Sequence, residues 1–217
     1  MILRNRRTPS GAMQASPPPP PRRPRSVALA GLAAAACLAL PLAGTAVAAP
    51  APAEPAGGYG SRLDFSEQTQ VQDQWCWVAT GLSVAQHLGY GQNTDQNTFC
   101  NLAHGQDGNT ACPNRPGELT DVQSAWSGLG MSPGNVTGVL PFSTVASSVD
   151  ANSPVEVGIY WTAGGGHANV LYGYDSANGT MLYADPWPSN PRYGEMDYST
   201  YVSNNQFNWA ESLYGEK

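Results

Sequence analysis

At Pro154 the periodicity of this 217-residue chain changes, and that change limits the folds open to it. Upstream, apolar residues recur at helical spacing. Over residues 74–88 they fall at Trp75, Val78, Ala79, Leu82 and Ala85, the i, i+3, i+4, i+7 pattern of an amphipathic helix. Asp73 is a candidate N-cap for it and Gly89 a candidate C-cap. A short helix is expected after Thr94, a third over about residues 119–129 with Val122, Ala125, Trp126 and Leu129 on one face, and a fourth after Ser143. Downstream, residues 155–161, 167–174 and 180–184 are rich in Val, Tyr and Ile. Gly164-Gly165-Gly166 and Ser176-Ala177-Asn178-Gly179 separate them, as turns separate strands. Residues 193–198 read as a further strand, and Tyr201, Phe207 and Trp209 as an aromatic tail packed back onto the sheet. Helices first and antiparallel strands second make an α+β order. There is no internal repeat.

The first sixty residues have another composition. They hold 11 of the 19 prolines and six of the ten basic residues, and the first 25 include no acid. Residues 27–49 are almost wholly apolar, broken by Pro41, and reach Ala46-Val47-Ala48, the small-x-small pattern of a signal-peptidase site. A stretch of this length could serve as a membrane anchor, but Pro41 and the Ala-x-Ala end favour cleavage. Lipidation at Cys37 is disfavoured because Ala34-Ala35-Ala36 makes a poor lipobox, and Arg22-Arg23 hints at twin-arginine export. The expectation is a signal peptide over 1–48, a disordered linker over 49–60 and one folded domain over 61–217, secreted and free of the membrane once cleaved.

From residue 49 onward, Arg62, Arg115, Arg192 and Lys217 face all sixteen acids, a net charge of −12. So acidic a domain cannot release counterions from a phosphate backbone, which excludes ordinary nucleic-acid binding. Its acidity reads as solubility outside the cell. Export would leave Cys76, Cys100 and Cys112, so in an oxidising compartment two pair and one stays odd. Cys100 and Cys112 flank a polar, turn-rich loop, and a disulfide there is worth roughly 3 kcal/mol on the loop-entropy argument. A zinc site from Cys100, His104 and Cys112 lacks a fourth ligand, so no metal and no cofactor is expected. Cys76 is the leftover thiol, and a free cysteine is ordinarily a small buried hydrophobe.

A thiol nucleophile needs a base and oxyanion donors. Cys76 sits about three residues into its predicted helix, where unpaired N–H groups and the positive dipole end favour a thiolate. Trp75 and Trp77 flank it; one is expected in the core and the other as a wall of a substrate cleft. His87 lies eleven residues further along the same helix, about 16 Å away at 1.5 Å per residue, too far for proton transfer. His104 belongs to the disulfide loop. His167 opens a strand after three glycines and is either a core histidine or the base. Gly165 and Gly166 could let a substrate chain approach closely, or simply form a hairpin turn. With a hairpin loop over residues 175–179, Asn169 faces Asp185, and His167 becomes a diagonal neighbour of Asp185 on one sheet face, Cβ atoms roughly 7–8 Å apart. A loop one residue shorter would put them on opposite faces. Asp175 is better explained as a turn former. Gln70, six residues before Cys76, is a candidate oxyanion donor among neighbouring Gln68, Gln72 and Gln74.

Together these residues resemble a known group. Gln70-Val71-Gln72-Asp73-Gln74-Trp75-Cys76-Trp77-Val78-Ala79 is similar to the Q-x5-C-W-[AV]-A motif of bacterial papain-like cysteine proteases, among them the AvrRpt-type effector proteases and bacteriocin-processing peptidases. Gly166-His167-Ala168-Asn169-Val170-Leu171-Tyr172-Gly173-Tyr174 and Tyr183-Ala184-Asp185-Pro186-Trp187 resemble its G-H and D-P segments. The resemblance implies a papain-like fold, with a helical lobe bearing the cysteine and a sheet lobe bearing histidine and aspartate. It implies Cys76 as nucleophile, His167 as base, Asp185 as orienter and Gln70 as oxyanion donor. The activity implied is hydrolysis of a protein or peptide substrate, and the chain is expected to act as a monomer. The resemblance covers roughly residues 64–212, but the segment between Cys112 and Pro154 carries little that matches, so substrate pockets cannot be carried over. Transglutaminases use similar chemistry, and Gln74-Trp75-Cys76-Trp77 is loosely similar to their Q-C-W segment. CHAP amidases of peptidoglycan share G-H-x-A, as in Gly166-His167-Ala168. A secreted binding module with a degenerate site is the non-enzymatic alternative.

Overall fold

The structure is a computed structural model and describes residues 60–216. The expected signal peptide, its cleavage site, Cys37 and all but the last residue of the expected linker lie outside those residues. That last residue, Gly60, already belongs to a strand. In chain order the elements are β1 (Gly60–Arg62), α1 (Cys76–His87), α2 (Gln96–Ala103), α3 (Leu119–Gly128), β2 (Asn135–Thr137), α4 (Phe142–Asp150), β3 (Val155–Trp161), β4 (Gly166–Asp175), β5 (Thr180–Ala184), β6 (Tyr193–Asp197), α5 (Tyr198–Val202) and β7 (Phe207–Tyr214). The α+β order holds, and the change at Pro154 separates four helices from most of the sheet.

Local chemistry sets the helix limits. Helix α1 begins two residues later than its periodicity predicts, with Trp75 as N-cap and no side chain capping it. Asp73 is therefore not the cap. At the other end Gly89 takes φ +91°, and the N–H groups of Gly89 and Tyr90 bond the carbonyls of Gln86 and Ala85. This is the Schellman arrangement, in which a left-handed glycine satisfies the last carbonyls. Helix α2 starts under Asp95, whose carboxylate accepts the Thr98 N–H at 2.7 Å. In α3 the Asp121 carboxylate reaches back to the Glu118 N–H at 2.8 Å.

The sheet runs β2-β7-β3-β4-β5-β6, every neighbouring pair antiparallel, with β1 paired to the far end of β4. Of the expected aromatic tail, Tyr201 packs against the sheet from α5, its ring against Tyr183, Phe207 and Trp209, but the rest does not lie on a face. Residues 207–214 enter it as β7, between β2 and β3. The strand expected over 193–198 stops at Asp197, and Tyr198 begins α5.

Helix α1 runs between α2 and α3 on one side and β3 and β4 on the other, so Cys76 to Ala85 are all buried. Gly81 lets α2 and α3 approach: a Cβ there would lie 2.7 Å from Val122 Cγ1 and 2.9 Å from Phe99 Cζ. The Gly81 carbonyl accepts the Trp126 indole N–H at 2.8 Å. Two buried hydroxyls interrupt the apolar surface: Thr80 meets Glu156 of β3, and Ser83 meets Glu67 in the segment before α1. Both hydroxyls lie within hydrogen-bonding distance of the carbonyl four residues back, the usual way to keep a hydroxyl inside a helix.

Cys100 in α2 is joined to Cys112, Cα atoms 6.1 Å apart, and Cys76 is free and buried. Closing this loop restricts the unfolded chain. The double substitution Cys100→Ser, Cys112→Ser should lower the unfolding free energy by about 3 kcal/mol. Urea titration followed by far-ultraviolet circular dichroism reads this as a lower midpoint with the native spectrum retained.

Candidate active site

A register correction in the β4–β5 hairpin places His167 beside Asp185. Asp175 pairs Thr180, so the loop is one residue shorter than expected, and Tyr174 faces Met181 rather than Thr180. Carried along the ladder, that register would put His167 and Asp185 on opposite faces. Between Leu171 and Gly173 the pairing shifts by one, because Tyr172 bulges out of β4. Leu171 then pairs Tyr183 and Val170 pairs Ala184, which aligns Asn169 with Asp185 and restores the shared face. Asp175 is the turn former expected of it, accepting the N–H groups of Ala177 and Asn178.

His167 is fully buried, and its Nε2 lies 2.7 Å from Asp185 Oδ1. Its other nitrogen, Nδ1, is buried without a well-formed hydrogen bond. Burial alone would discharge this ring. Its hydrogen bonds and charge interactions with Asp185 and Cys76 outweigh that, and its pKa is pushed up to about 10. Burial likewise opposes the charge on Asp185, but His167, the Asn190 amide and the Trp187 N–H hold its carboxyl below the usual range. The Arg192 guanidinium bonds the Asp185 carbonyl and donates to Thr69 Oγ1 at 2.7 Å. Trp161 stacks along the imidazole with ring centroids 6.0 Å apart, and Trp187 meets it edge-on at 6.3 Å.

Cys76 is the first residue of α1, not the third of a longer helix. Its own N–H and the next two precede the first intrahelical bond, from Ala79 to Trp75, and so have no acceptor in the helix. Gln70 is buried, its backbone N–H bonded to the Pro186 carbonyl and its amide donating to the Gln72 carbonyl at 2.8 Å. The segment before Cys76 and the loop after Asp185 are thereby tied together.

Other candidates fall elsewhere. His87 ends α1 against Asn152 at 3.2 Å, and His104 is an exposed residue following α2. Trp75 and Trp77 are both buried, with indole N–H groups bonded to the Pro113 and Arg115 carbonyls. The tryptophan expected to wall the site is therefore a core residue, because its polar edge is satisfied internally; Trp75 shows only an edge to a polar cavity with Gln68 and Gln96. Gly164 and Gly165 take positive φ in the β3–β4 turn, and Gly166 pairs Tyr160. Cys100, His104 and Cys112 cluster within 4.8 Å, but both sulfurs are in the disulfide. A cavity of about 320 Å³ adjoins the site, lined by Gln70, Val71, Asp73 and Trp187. The sequence reading did not find Asn190, Arg192 or Trp161 at the site. Trp187 stood in the D-P-W segment, but the other three carry no signal outside the fold.

The profile of a family described as papain-like cysteine protease AvrRpt2 matches residues 60–206, from β1 through α5. No curated protein matches this chain. Among solved structures, a crystal structure from Bacillus anthracis described as a C39-like peptidase is similar over 71% of this chain and 96% of its own, at 16% identity and a TM-score of 0.49.

Two buried acids lie under α1. Thr80 Oγ1 stands 2.6 Å from Glu156 Oε1 and 2.8 Å from the Cys76 carbonyl, and Ser83 Oγ stands 3.2 Å from Glu67 Oε1 and 2.7 Å from the Ala79 carbonyl. One hydroxyl hydrogen cannot serve two acceptors, so a protonated carboxyl supplies the second. The pKa values agree: burial pushes Glu156 well above the carboxylate range and Glu67 up to about 8. A carboxyl whose folded pKa is raised binds its proton more tightly in the folded state. It stabilises fully below the unfolded value near 4.5 and loses that contribution as pH rises toward 8. Glu67→Gln, measured by urea unfolding at pH 5, 7 and 9, should gain stability relative to wild type across that series, by a few kcal/mol in order of magnitude.

Proposed function

The chain belongs to the papain-like cysteine protease family of the AvrRpt2 type, and on that premise we propose that its peptidase chemistry runs through Cys76, His167, Asp185 and Gln70. The chain is a cysteine peptidase acting on protein or peptide substrates. The observation that carries the residue assignment is the division of labour on one imidazole. Nε2 is committed to Asp185, while Nδ1 makes no well-formed hydrogen bond, in a ring whose protonation the Cys76 side chain helps to hold.

In this mechanism the resting pair is a Cys76 thiolate and a His167 imidazolium. Sulfur attacks the scissile carbonyl carbon, a C–S bond forms, and the carbonyl π electrons move to oxygen. The free Cys76 N–H at the head of α1 and the Gln70 side-chain amide receive that oxyanion. Collapse breaks the C–N bond, and His167 Nδ1 gives its proton to the departing amine. His167 then takes a proton from water, hydroxide attacks the thioester, and release of the acid restores the pair. Asp185 fixes the ring orientation and stabilises its charge throughout.

Cys76→Ala and His167→Ala should abolish peptide hydrolysis, whereas His87→Ala and His104→Ala should retain it. Asp185→Asn should lower kcat by about 10- to 10⁴-fold, by analogy with serine triads. Asp185 raises the His167 pKa, so the same variant should move the alkaline limb of kcat/KM to lower pH. Casein incubated with enzyme and a primary amine, read by mass spectrometry, should yield new internal peptide termini. Amine adducts on glutamine without cleavage would instead assign acyl transfer, and activity confined to cell-wall fragments an amidase.

Secretion is part of the same proposal. It rests on the Ala46-Val47-Ala48 site and on a disulfide, which persists in an oxidising compartment. Intact-mass analysis of the culture supernatant should find a chain beginning near Ala49; membrane retention or a lipid on Cys37 would refute it.

A further inference from the structure

The turn carrying Cys76 is held from outside its own sequence. Trp75 supplies no capping side chain, and the Asp73 carboxylate accepts from Asn114 and does not cap the helix. Residues 113–115, some forty positions along the chain, make four hydrogen bonds to residues 73–77. Asn114 Oδ1 accepts the Gln74 N–H at 3.1 Å, and Asn114 Nδ2 donates to Asp73 Oδ1 at 2.6 Å. The Pro113 and Arg115 carbonyls accept the indole N–H groups of Trp75 and Trp77, each at 3.2 Å. These bonds bracket Cys76 on both sides.

The strap that makes them is itself fixed. Cys112 is tied to α2 by the disulfide, and its N–H bonds Asn97 Oδ1 at 2.9 Å. At its other end Gly117 lies against Trp77 so closely that a Cβ would come 2.5 Å from Cε2 of the indole. Two residues later the chain enters α3.

We propose that Asn114 is a positioning residue for Cys76: by bridging Asp73 and Gln74 it fixes the turn that aims the Cys76 N–H at the substrate oxygen. The proposal rests on Cys76 being the nucleophile. A primary amide suits the position because it accepts from an N–H and donates to a carboxylate at once. Alanine does neither. Aspartate keeps the acceptor but sets a second carboxylate against Asp73, a repulsion that protonation of either partner converts into a hydrogen bond.

The test compares wild type, Asn114→Ala, Asn114→Asp and Cys76→Ala in peptide hydrolysis and in alkylation of Cys76 by iodoacetamide. Alkylation forms no oxyanion, so it separates aim from nucleophilicity. Asn114→Ala should lose about 10- to 100-fold in kcat, the scale of a slight misplacement, with KM and alkylation rate within about twofold of wild type. In Asn114→Asp the ratio of its kcat to that of wild type should rise at least tenfold between pH 8 and pH 5. Wild-type kcat in Asn114→Ala, or a pH-independent ratio in Asn114→Asp, overturns the positioning role. Should Asn114→Ala fail to fold, the pH series on Asn114→Asp carries the test alone. Full activity in Cys76→Ala would instead overturn the nucleophile on which the proposal rests.

Discussion

The buried bond between His167 and Asp185 is the interaction that the surrounding structure must sustain. Removing an imidazolium and a carboxylate from water costs several kcal/mol for each charge, which attraction offsets only when every remaining lone pair and proton has a partner. The fold supplies them around Asp185. Asn190 and the Trp187 N–H satisfy its side chain, and Arg192 clamps its carbonyl. The same guanidinium reaches Thr69, and Pro186 accepts the N–H of Gln70. The loop that compensates the buried charge is thus also the loop that locates the candidate oxyanion donor.

Helix α1 joins two different environments. Its apolar side is packed without slack, with Gly81 where α2 and α3 press closest. Its other side carries Thr80 and Ser83, whose hydrogen bonds two carboxylic acids complete, Glu156 from β3 and Glu67 from the segment before α1. Burial first, and repulsion from neighbouring charge second, keeps Glu156 neutral, and burial does the same for Glu67. The arrangement places neutral donors near Cys76 and leaves the buried charge pair to His167 and Asp185. Glu216, buried beside Ser153 and pushed up to about 7, adds a third acid that favours the folded state at lower pH.

The helices and the hairpin strands were legible because apolar period and turn chemistry are local. Strands β3 and β5 have the limits that the sequence predicts, and α1 to α4 fall within a few residues of theirs. What the sequence misplaced depends on partners far along the chain. β7 reads as a tail because nothing in residues 207–214 records that β2 and β3 leave a gap between them. One of Trp75 and Trp77 reads as a cleft wall until Pro113 and Arg115 are seen to accept both indole N–H groups.

The site divides in the same way. The types and order of Gln70, Cys76, His167 and Asp185 were readable from sequence alone, since the chemistry of a thiol nucleophile restricts which residues can serve it and the motif spacings are short. Their juxtaposition was not. The sequence reading reached the correct face for His167 and Asp185 from a hairpin loop one residue too long. The true loop would have separated them, and the Tyr172 bulge brings them back. A bulge depends on how two strands twist and pair, and Arg192 reaches Thr69, and Asn114 reaches Asp73 and Gln74, only after the chain has closed on itself. Local periodicity therefore determined the elements, and residue type and motif spacing the candidate reactive groups, while long-range pairing decided which of those groups meet.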